Sequence, residues 1–194
     1  LQTMRQWDPV KAAPRSVAGL SAMIIGTGGI GSGVARTLSS VGMTTVGVSR
    51  SGQRRHDFAE VWRWDSLPDT LPDVDVVIAA LPLTTDTDGL IGSDLFARIR
   101  GALFVNVGRG QTLDVSAMIV ALQTHCLRHA VLDVFAAEPL PSDHPLWDHP
   151  QVSVTPHVSG LTQAQDVIDA FLEAYHALER GARPALIVDP DAGY

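Results

Sequence analysis

Cysteine is almost missing from this sequence of 194 residues, because Cys126 stands alone and no intramolecular disulfide can form. Basic residues are also scarce, with 14 Lys and Arg against 21 Asp and Glu, and the formal net charge is −7. This balance disfavours nucleic acid as a partner, since tracking phosphates requires a basic face. No apolar run approaches the roughly 18 residues that span a bilayer, so we expect no membrane partner either. The single cysteine and the lack of a signal pattern near the N-terminus predict a cytoplasmic protein.

Short apolar runs alternate with helical segments along most of the chain. The runs have apolar residues on both faces of a strand, which is typical of a parallel sheet covered on both sides. The sequence therefore predicts a doubly wound α/β fold. We expect helices at 29–41, 93–98, 114–124 and 162–180, the last with an apolar stripe and a stop at Gly181. Strands are expected at 22–25, 44–48, 61–64, 76–81, 103–107, 130–134 and 152–154.

A glycine-rich loop follows the first predicted strand and opens the first predicted helix. It reads Gly26-Thr27-Gly28-Gly29-Ile30-Gly31, a GxGxxG pattern. In this setting the first glycine permits a tight turn, the second lets backbone approach a pyrophosphate, and the third lets helix and strand pack closely. Unpaired N–H groups at the helix start favour the phosphates. The loop predicts a dinucleotide site, and the alternative is a glycine-rich turn without a ligand.

The end of the second strand indicates which dinucleotide is preferred. An NAD site usually has an acid there for the ribose hydroxyls, but this chain reads Ser49-Arg50-Ser51. Arg50, helped by Arg54 or Arg55, offers charge-assisted hydrogen bonds to a 2′-phosphate. We therefore expect NADP to be preferred over NAD. The alternative is a solvated basic loop.

Three later segments carry one chemically useful residue each, at or after the end of an apolar run. Arg109 follows the run at 103–107, Glu138 comes after 130–134, and His157 follows 152–154. Ligands of open α/β sheets bind outside the carboxyl ends of the strands, so these three side chains are expected to converge. An arginine orients a carboxylate, a histidine transfers a proton near neutral pH, and an acid holds the imidazole and favours its charged form. Taken singly, each has an ordinary structural explanation: a loop bridge, a surface acid and a core histidine.

A metal site is the less favoured interpretation of another cluster, His125, Cys126 and His129. Their i, i+1, i+4 spacing does not place all three on one helix face. We expect no metal and treat them as solvated residues at a helix end.

The combined motifs resemble those of the D-2-hydroxyacid dehydrogenase family, over about residues 19–194. The matching segments are the glycine loop, Leu81-Pro82-Leu83-Thr84 with Thr87, and the Arg109, Glu138 and His157 segments in that order. The tail, with Leu146-Trp147, His149-Pro150 and Gly193-Tyr194, is most similar to glyoxylate/hydroxypyruvate reductases. The resemblance implies hydride transfer from NAD(P)H to a small 2-oxoacid, giving a D-2-hydroxyacid.

The resemblance also implies residue roles. Arg109 would bind the substrate carboxylate and carbonyl, His157 would donate the proton, and Glu138 would pair with His157. Asp133 would meet the nicotinamide side of the cofactor. Arg109 and His157 would also adjoin the cofactor, whose remaining contacts would be Leu81, Pro82, Thr87, Val107, Gly108 and Gly160.

The chain departs from the family pattern in two respects. His129 stands where the family usually has a small residue, which bears on packing. The family's substrate domain is missing, so we expect residues 1–16 to be an arm from that domain, 17–181 the dinucleotide-binding domain, and 182–194 a tail returning toward the missing part. The family also predicts a homodimer. The rival function is a non-catalytic NAD(P)-sensing or scaffold protein on the same fold.

Overall fold

The structure is a computed structural model that describes residues 16–69, 71, 73–184 and 187. Its centre is a sheet of seven strands: β1 (Ser21–Ile25), β2 (Thr44–Ser49), β3 (Glu60–Arg63), β4 (Val76–Ala79), β5 (Ala102–Asn106), β6 (Leu127–Leu132) and β7 (Val152–Val154).

All the strand pairs are parallel, and the order across the sheet is β3-β2-β1-β4-β5-β6-β7. The order reverses between β1 and β4, which is where a doubly wound sheet opens a crevice for a ligand. Because the strands are parallel, their carboxyl ends lie along one edge of the sheet, here called the carboxyl edge. The predicted doubly wound α/β fold is confirmed.

Within the described residues, four α-helices connect or follow the strands: α1 (Gly29–Ser40), α2 (Ser93–Phe96), α3 (Val115–Gln123) and α4 (Ala164–Glu179). The Asp114 carboxylate accepts a hydrogen bond from Ala117 N at 2.9 Å and so caps the start of α3. Gly181 lies just beyond α4 at φ +67°, the left-handed conformation that ends a helix.

The core has two parts, one on each face of the sheet. The smaller part packs α1 against β1 and β4 and includes Ile24, Ala35 and Ile78. The larger part packs α2 and α3 against the opposite face and includes the edge-to-face pair Phe96 and Phe104, whose ring centroids are 5.5 Å apart. The strands are thus buried from both sides, which explains their unbroken apolar runs.

Two strands, β4 and β6, differ from the predicted bounds by more than one residue at an end. β6 begins at Leu127 rather than at residue 130. Leu127 pairs with Ala102 and His129 with Leu103, so the exposed Arg128, which interrupts the apolar run, is an irregularity within the strand and not its start. β4 ends at Ala79 rather than at residue 81. Ala80 N still donates to the Ile25 carbonyl at 2.8 Å, and the backbone of Ala80 and Leu81 then lies against Gly26 and Gly108 of neighbouring loops.

The predicted apolar stripe of α4 is not buried. Val167, Phe171 and Leu178 are 54%, 66% and 65% exposed, and Phe171 stacks on Tyr175 of the same helix. In the part of the chain that the structure describes, no helix has the length and apolar character to cross a membrane. The expectation of an arm at 1–16 and a tail at 182–194 falls largely outside the described residues.

Candidate active site

The glycine loop joins β1 to α1 through two close backbone approaches. Gly26 has φ +102°, and a Cβ there would lie 2.5 Å from the carbonyl oxygen of Ala80. A Cβ on Gly31 would lie 1.8 Å from the carbonyl oxygen of Gly26. Both positions therefore require glycine for packing, independently of any ligand.

The middle of the loop is open instead of crowded. A Cβ on Gly28 or Gly29 would meet nothing within 4 Å. Gly28 is the N-cap of α1, no side chain caps the helix, and its first turn holds no acidic residue. The free N–H groups and the positive end of the helix dipole therefore face unfilled space, which fits a pyrophosphate. Ile30, at the start of the helix, is 62% exposed.

The end of β2 presents hydroxyls and one guanidinium. The oxygens of Ser49 and Ser51 accept hydrogen bonds from backbone N–H groups two or three residues ahead, which shapes the turn. The side chain of Arg50 takes no part in the hydrogen bonds that shape this turn, and it is 72% exposed. Its Nη1 lies 3.8 Å from Oδ2 of Asp86, an exposed acid in the loop after β4. The sequence analysis missed Asp86, since only the topology brings these two loops together.

The segment after β4 lies between the glycine loop and the Arg109 loop and packs against both. Thr87 Oγ1 donates to the Pro82 carbonyl at 2.7 Å and accepts from Thr84 N at 2.8 Å, so this hydroxyl closes the loop. Half-buried Leu81 is next to Gly108, where a Cβ would lie 2.6 Å from the Leu81 carbonyl oxygen. The glycine loop and the Arg109 loop, which form the two halves of the carboxyl edge, therefore both pack against the backbone of this segment.

Arg109 lies in a loop supported by a buried amide. Asn106, the last residue of β5, is 0% exposed. Its Oδ1 accepts from Gly108 N at 3.1 Å, and its Nδ2 donates to the Arg109 carbonyl at 3.3 Å. Thr112 Oγ1 also donates to that carbonyl, at 2.7 Å. The backbone of Arg109 is fixed from below while the residue itself stays exposed, as binding a soluble ligand requires.

Glu138 and His157 form a hydrogen-bonded pair at the same edge. Oε2 of Glu138 lies 2.8 Å from Nδ1 of His157, and its Oε1 accepts from Phe135 N at 2.8 Å. These two hydrogen bonds hold the pKa of Glu138 below its ordinary value, and the charges of His157 and Arg109 act in the same direction. Glu138 is therefore ionised at neutral pH, and it occupies one ring nitrogen of His157 while leaving Nε2 free.

Asp133 follows β6 and is 2% exposed. Burial opposes its ionisation, yet hydrogen bonds from Ser159, Thr155 and Val158 hold the pKa of Asp133 far below its ordinary value. It is a buried carboxylate whose charge is satisfied by donors of a single loop.

The remaining predicted residues lie around these groups. Val107 is half-buried against the α1 side of the core, and Gly160 is exposed with open space around its Cα. His129 is half-buried and shares a hydrogen bond of 2.9 Å with Ser153 across β6 and β7. Within the described residues no group of three His, Cys, Asp or Glu side chains is placed to hold a metal ion.

Sequence reasoning also missed supporting residues. It assigned no role to Asn106, Thr155 or Ser159, although all three hold the loops of the predicted catalytic side chains. The sequence offers one signal for such residues. Asn106 and Asp133 are polar, and each stands where a buried apolar run ends, immediately before a loop with a chemically useful side chain.

The parallel sheet, the glycine loop at a helix start and the polar cluster at the carboxyl edge define a Rossmann-type dinucleotide-binding domain. The family model described as D-isomer specific 2-hydroxyacid dehydrogenase, NAD binding domain, matches residues 1–159. The chain belongs to this family.

Curated relatives include glyoxylate/hydroxypyruvate reductase A of Serratia proteamaculans, 34% identical over 100% of this chain and 62% of the relative. The protein of the same name from Yersinia enterocolitica is 31% identical, over 100% of this chain and 61% of the relative. The chain thus spans a little over three fifths of the length of these relatives.

Solved structures give the same result. A D-isomer specific 2-hydroxyacid dehydrogenase from Xanthobacter autotrophicus Py2, in complex with NADPH and MES, is 33% identical and superimposes with a TM-score of 0.87, over 100% of this chain and 79% of that one. The NADPH-dependent glyoxylate/hydroxypyruvate reductase of Sinorhizobium meliloti, in complex with NADP and sulfate, is 30% identical with a TM-score of 0.88, over 100% and 62%.

Proposed function

We propose that this chain is the cofactor-binding part of an NADPH-preferring reductase of small 2-oxoacids of the glyoxylate and hydroxypyruvate type. The observation that carries the proposal is the convergence of the hydrogen-bonded Glu138–His157 pair and the Arg109 loop, which packs on the same backbone as the open glycine loop. The relatives named above supply the substrate class and the cofactor. The polypeptide that contains this chain would then have a second domain that completes the substrate site, with residues 1–16 and 182–194 as connections and 17–181 as the cofactor domain.

The residues of the chain suit the two ends of a 2-oxoacid. Arg109 is exposed on a fixed backbone. Its Nη1 donates to the Gly108 carbonyl at 2.8 Å, and the remaining N–H groups of the guanidinium are the donors for the substrate carboxylate. The bound cofactor, when present, supplies the hydride for the carbonyl carbon. His157 gives its Nε2 proton to the carbonyl oxygen, while Glu138 holds Nδ1 and stabilises the imidazolium. The carbonyl thereby becomes a hydroxyl.

Arg50 is proposed as the residue that distinguishes NADPH from NADH. No carboxylate occupies the end of β2, and the exposed guanidinium of Arg50 is available to a 2′-phosphate. A charge-assisted contact contributes about 1.5–3 kcal/mol, which corresponds to a roughly tenfold to hundredfold preference for NADPH.

The test is a calorimetric titration of the 194-residue chain with NADPH and with NADH. Arg50→Ala should abolish most of the preference by weakening NADPH binding alone. Arg36→Ala, which removes the same charge from α1, is the matched control and should change neither affinity. Equal affinity of the parent chain for both cofactors would refute the NADPH assignment.

Turnover needs the longer polypeptide. Oxidation of NADPH on addition of glyoxylate or hydroxypyruvate by the full-length protein would support the reductase, whereas tight cofactor binding without turnover would favour the sensing or scaffold alternative. We also propose a cytoplasmic homodimer, on the basis of the single cysteine and the family resemblance, and light scattering of the full-length protein tests the dimer.

A further inference from the structure

Most of the hydrogen bonds that hold the loop carrying His157 end on Asp133, the residue that follows β6. The loop also begins with a bond to the sheet itself, from Thr155 N to the Leu132 carbonyl at 3.0 Å. His157 N donates to the carbonyl oxygen of Asp133 at 2.9 Å, and the Thr155 hydroxyl donates to Oδ1 of the same residue. Val158 N donates to Oδ1 at 3.0 Å and Ser159 N to Oδ2 at 2.9 Å. Four donors from the five residues 155–159 thus converge on Asp133.

His157 itself has an uncommon backbone conformation, with φ +54°. A residue with a Cβ rarely adopts this left-handed region, and it does so where the surrounding structure imposes it. The donors to Asp133 come from His157 itself and from residues on both sides of it. These contacts are therefore the constraint that holds the loop in the conformation from which the imidazole reaches Glu138.

A carboxylate is specifically suited to this task. Oδ1 accepts two hydrogen bonds and Oδ2 accepts at least one. Two of the donors are backbone N–H groups, which can only donate, and the third is the Thr155 hydroxyl, which donates in this structure. An amide would place an NH₂ group against one of these donors, in either orientation, and leave that donor unpaired in a site that is 2% exposed.

We propose that Asp133 is a positioning residue, which holds the 155–159 loop so that the His157 imidazole stays in hydrogen-bonding contact with Glu138. This role is additional to the contact with the nicotinamide side that the family resemblance implies. The inference deepens the proposed function, on which it rests for the use of the positioned imidazole as a proton donor.

The Glu138 carboxyl reports on the position of His157 without any cofactor or substrate. The hydrogen bond from His157 is the largest of the contributions that lower the pKa of Glu138, and the other charged group acting on it is Arg109. If the loop loosens, the His157 bond weakens and the pKa of Glu138 rises. Loss of the negative charge of Asp133 would by itself lower the pKa of Glu138, so a rise in Asp133→Asn reports on the position of His157.

The experiment is a ¹³C NMR titration of the glutamate carboxyl groups in the 194-residue chain. The sequence holds four glutamates, and Glu138→Gln assigns the relevant signal. We expect Asp133→Asn and Thr155→Val to raise the pKa of Glu138 by about half a unit or more, and Thr155→Ser, which keeps the hydroxyl, to leave it unchanged. Thr155→Val preserves every charge and decides the matter if Asp133→Asn does not fold.

The matched control is Thr45→Val, the same substitution at a buried threonine of β2 whose hydroxyl donates to the Asp57 carbonyl. It should lower the melting temperature without moving the Glu138 titration. An unchanged pKa of Glu138 in folded Thr155→Val and Asp133→Asn would overturn the proposal, as would an equal rise in Thr45→Val. Failure of the full-length protein to reduce 2-oxoacids would refute the proposed function, but it would not change the Glu138 titration or what that titration says about Asp133.

Discussion

The two halves of the carboxyl edge are built from different parts of the chain. The half formed by the glycine loop uses backbone: bare helix N–H groups, open space at Gly28, and close approaches at Gly26 and Gly31. The half with Arg109 and His157 uses buried polar side chains that support exposed ones. The half proposed to bind phosphate therefore depends on glycines without side chains, whereas the half proposed for proton transfer depends on hydrogen bonds from buried side chains to its loops. Mutations in the two halves should consequently fail in different ways.

The largest effect is expected for His157→Ala in the full-length protein. Loss of a positioned general acid should lower kcat for 2-oxoacid reduction by about 10² to 10⁴, while the Kd for NADPH changes little. Stopped-flow kinetics and cofactor titration measure the two quantities. His176→Ala, at an exposed histidine of α4, is the control. A kcat within threefold of the parent value, about 0.7 kcal/mol, would remove His157 from the chemistry.

A pair of glycine substitutions separates ligand binding from packing within one loop. Gly31→Ala puts a Cβ against the Gly26 carbonyl and should destabilise the fold by about 1–3 kcal/mol or more. Gly28→Ala adds its methyl in open space and should leave the melting temperature unchanged, while the Kd for NADPH rises by about tenfold or more. Thermal unfolding and calorimetry test both. Equal stability of the two variants would contradict the assigned division of roles.

Stability in acid tests the buried carboxylate of Asp133, which belongs to the half with Arg109 and His157. Asp133→Asn should lower the free energy of unfolding by about 2–3 kcal/mol at pH 7, since buried donors lose a charged partner. The pKa of Asp133 is lowered in the folded protein, so its stabilisation is complete above the unfolded value of about 3.9 and is lost as the pH falls through the folded value.

Urea unfolding from pH 7 to pH 3 measures this dependence. The difference between the parent chain and Asp133→Asn should stay constant down to about pH 5 and shrink below about pH 4. A difference that grows on acidification would show that Asp133 is not ionised in the folded protein.

The smallest effect is expected for Asp86→Asn. The Asp86 carboxylate lies 3.8 Å from the Arg50 guanidinium, and both side chains are exposed, so their attraction is worth at most about 1 kcal/mol. Its removal should free Arg50 and tighten NADPH binding up to about fivefold at low salt, with little effect at high salt. Asp88→Asn, in the same exposed loop, is the control. Weaker NADPH binding would indicate instead that Asp86 holds Arg50 in place for the cofactor.

The local sequence predicted the glycine half well because its signals are contiguous. Strand β1, the glycine pattern and helix α1 occupy residues 21–40 without interruption, and the close approach of Gly31 to the Gly26 carbonyl lies within that stretch. The approach of Gly26 to Ala80 is the exception, since it depends on the pairing of β1 with β4. The α4 stripe was harder to interpret, because periodicity shows that a helix is amphipathic but not what covers its apolar face. In the structure that face is exposed, and residues such as Phe171 contact their own helix.

The sequence by itself determined the fold class and the glycine loop, and it predicted Arg109, Glu138 and His157 as the site residues, because apolar runs, glycines and motif order are properties of short segments. Only the tertiary structure decided how these segments support one another. The parallel order of the sheet aligns the ends of β5, β6 and β7. Asp133 can therefore bond to Thr155 and Ser159, which follow it by 22 and 26 positions in the chain. Hydrogen bonds of this kind depend on distances that sequence spacing does not encode, which is why Asn106, Thr155 and Asp86 became visible only in the fold.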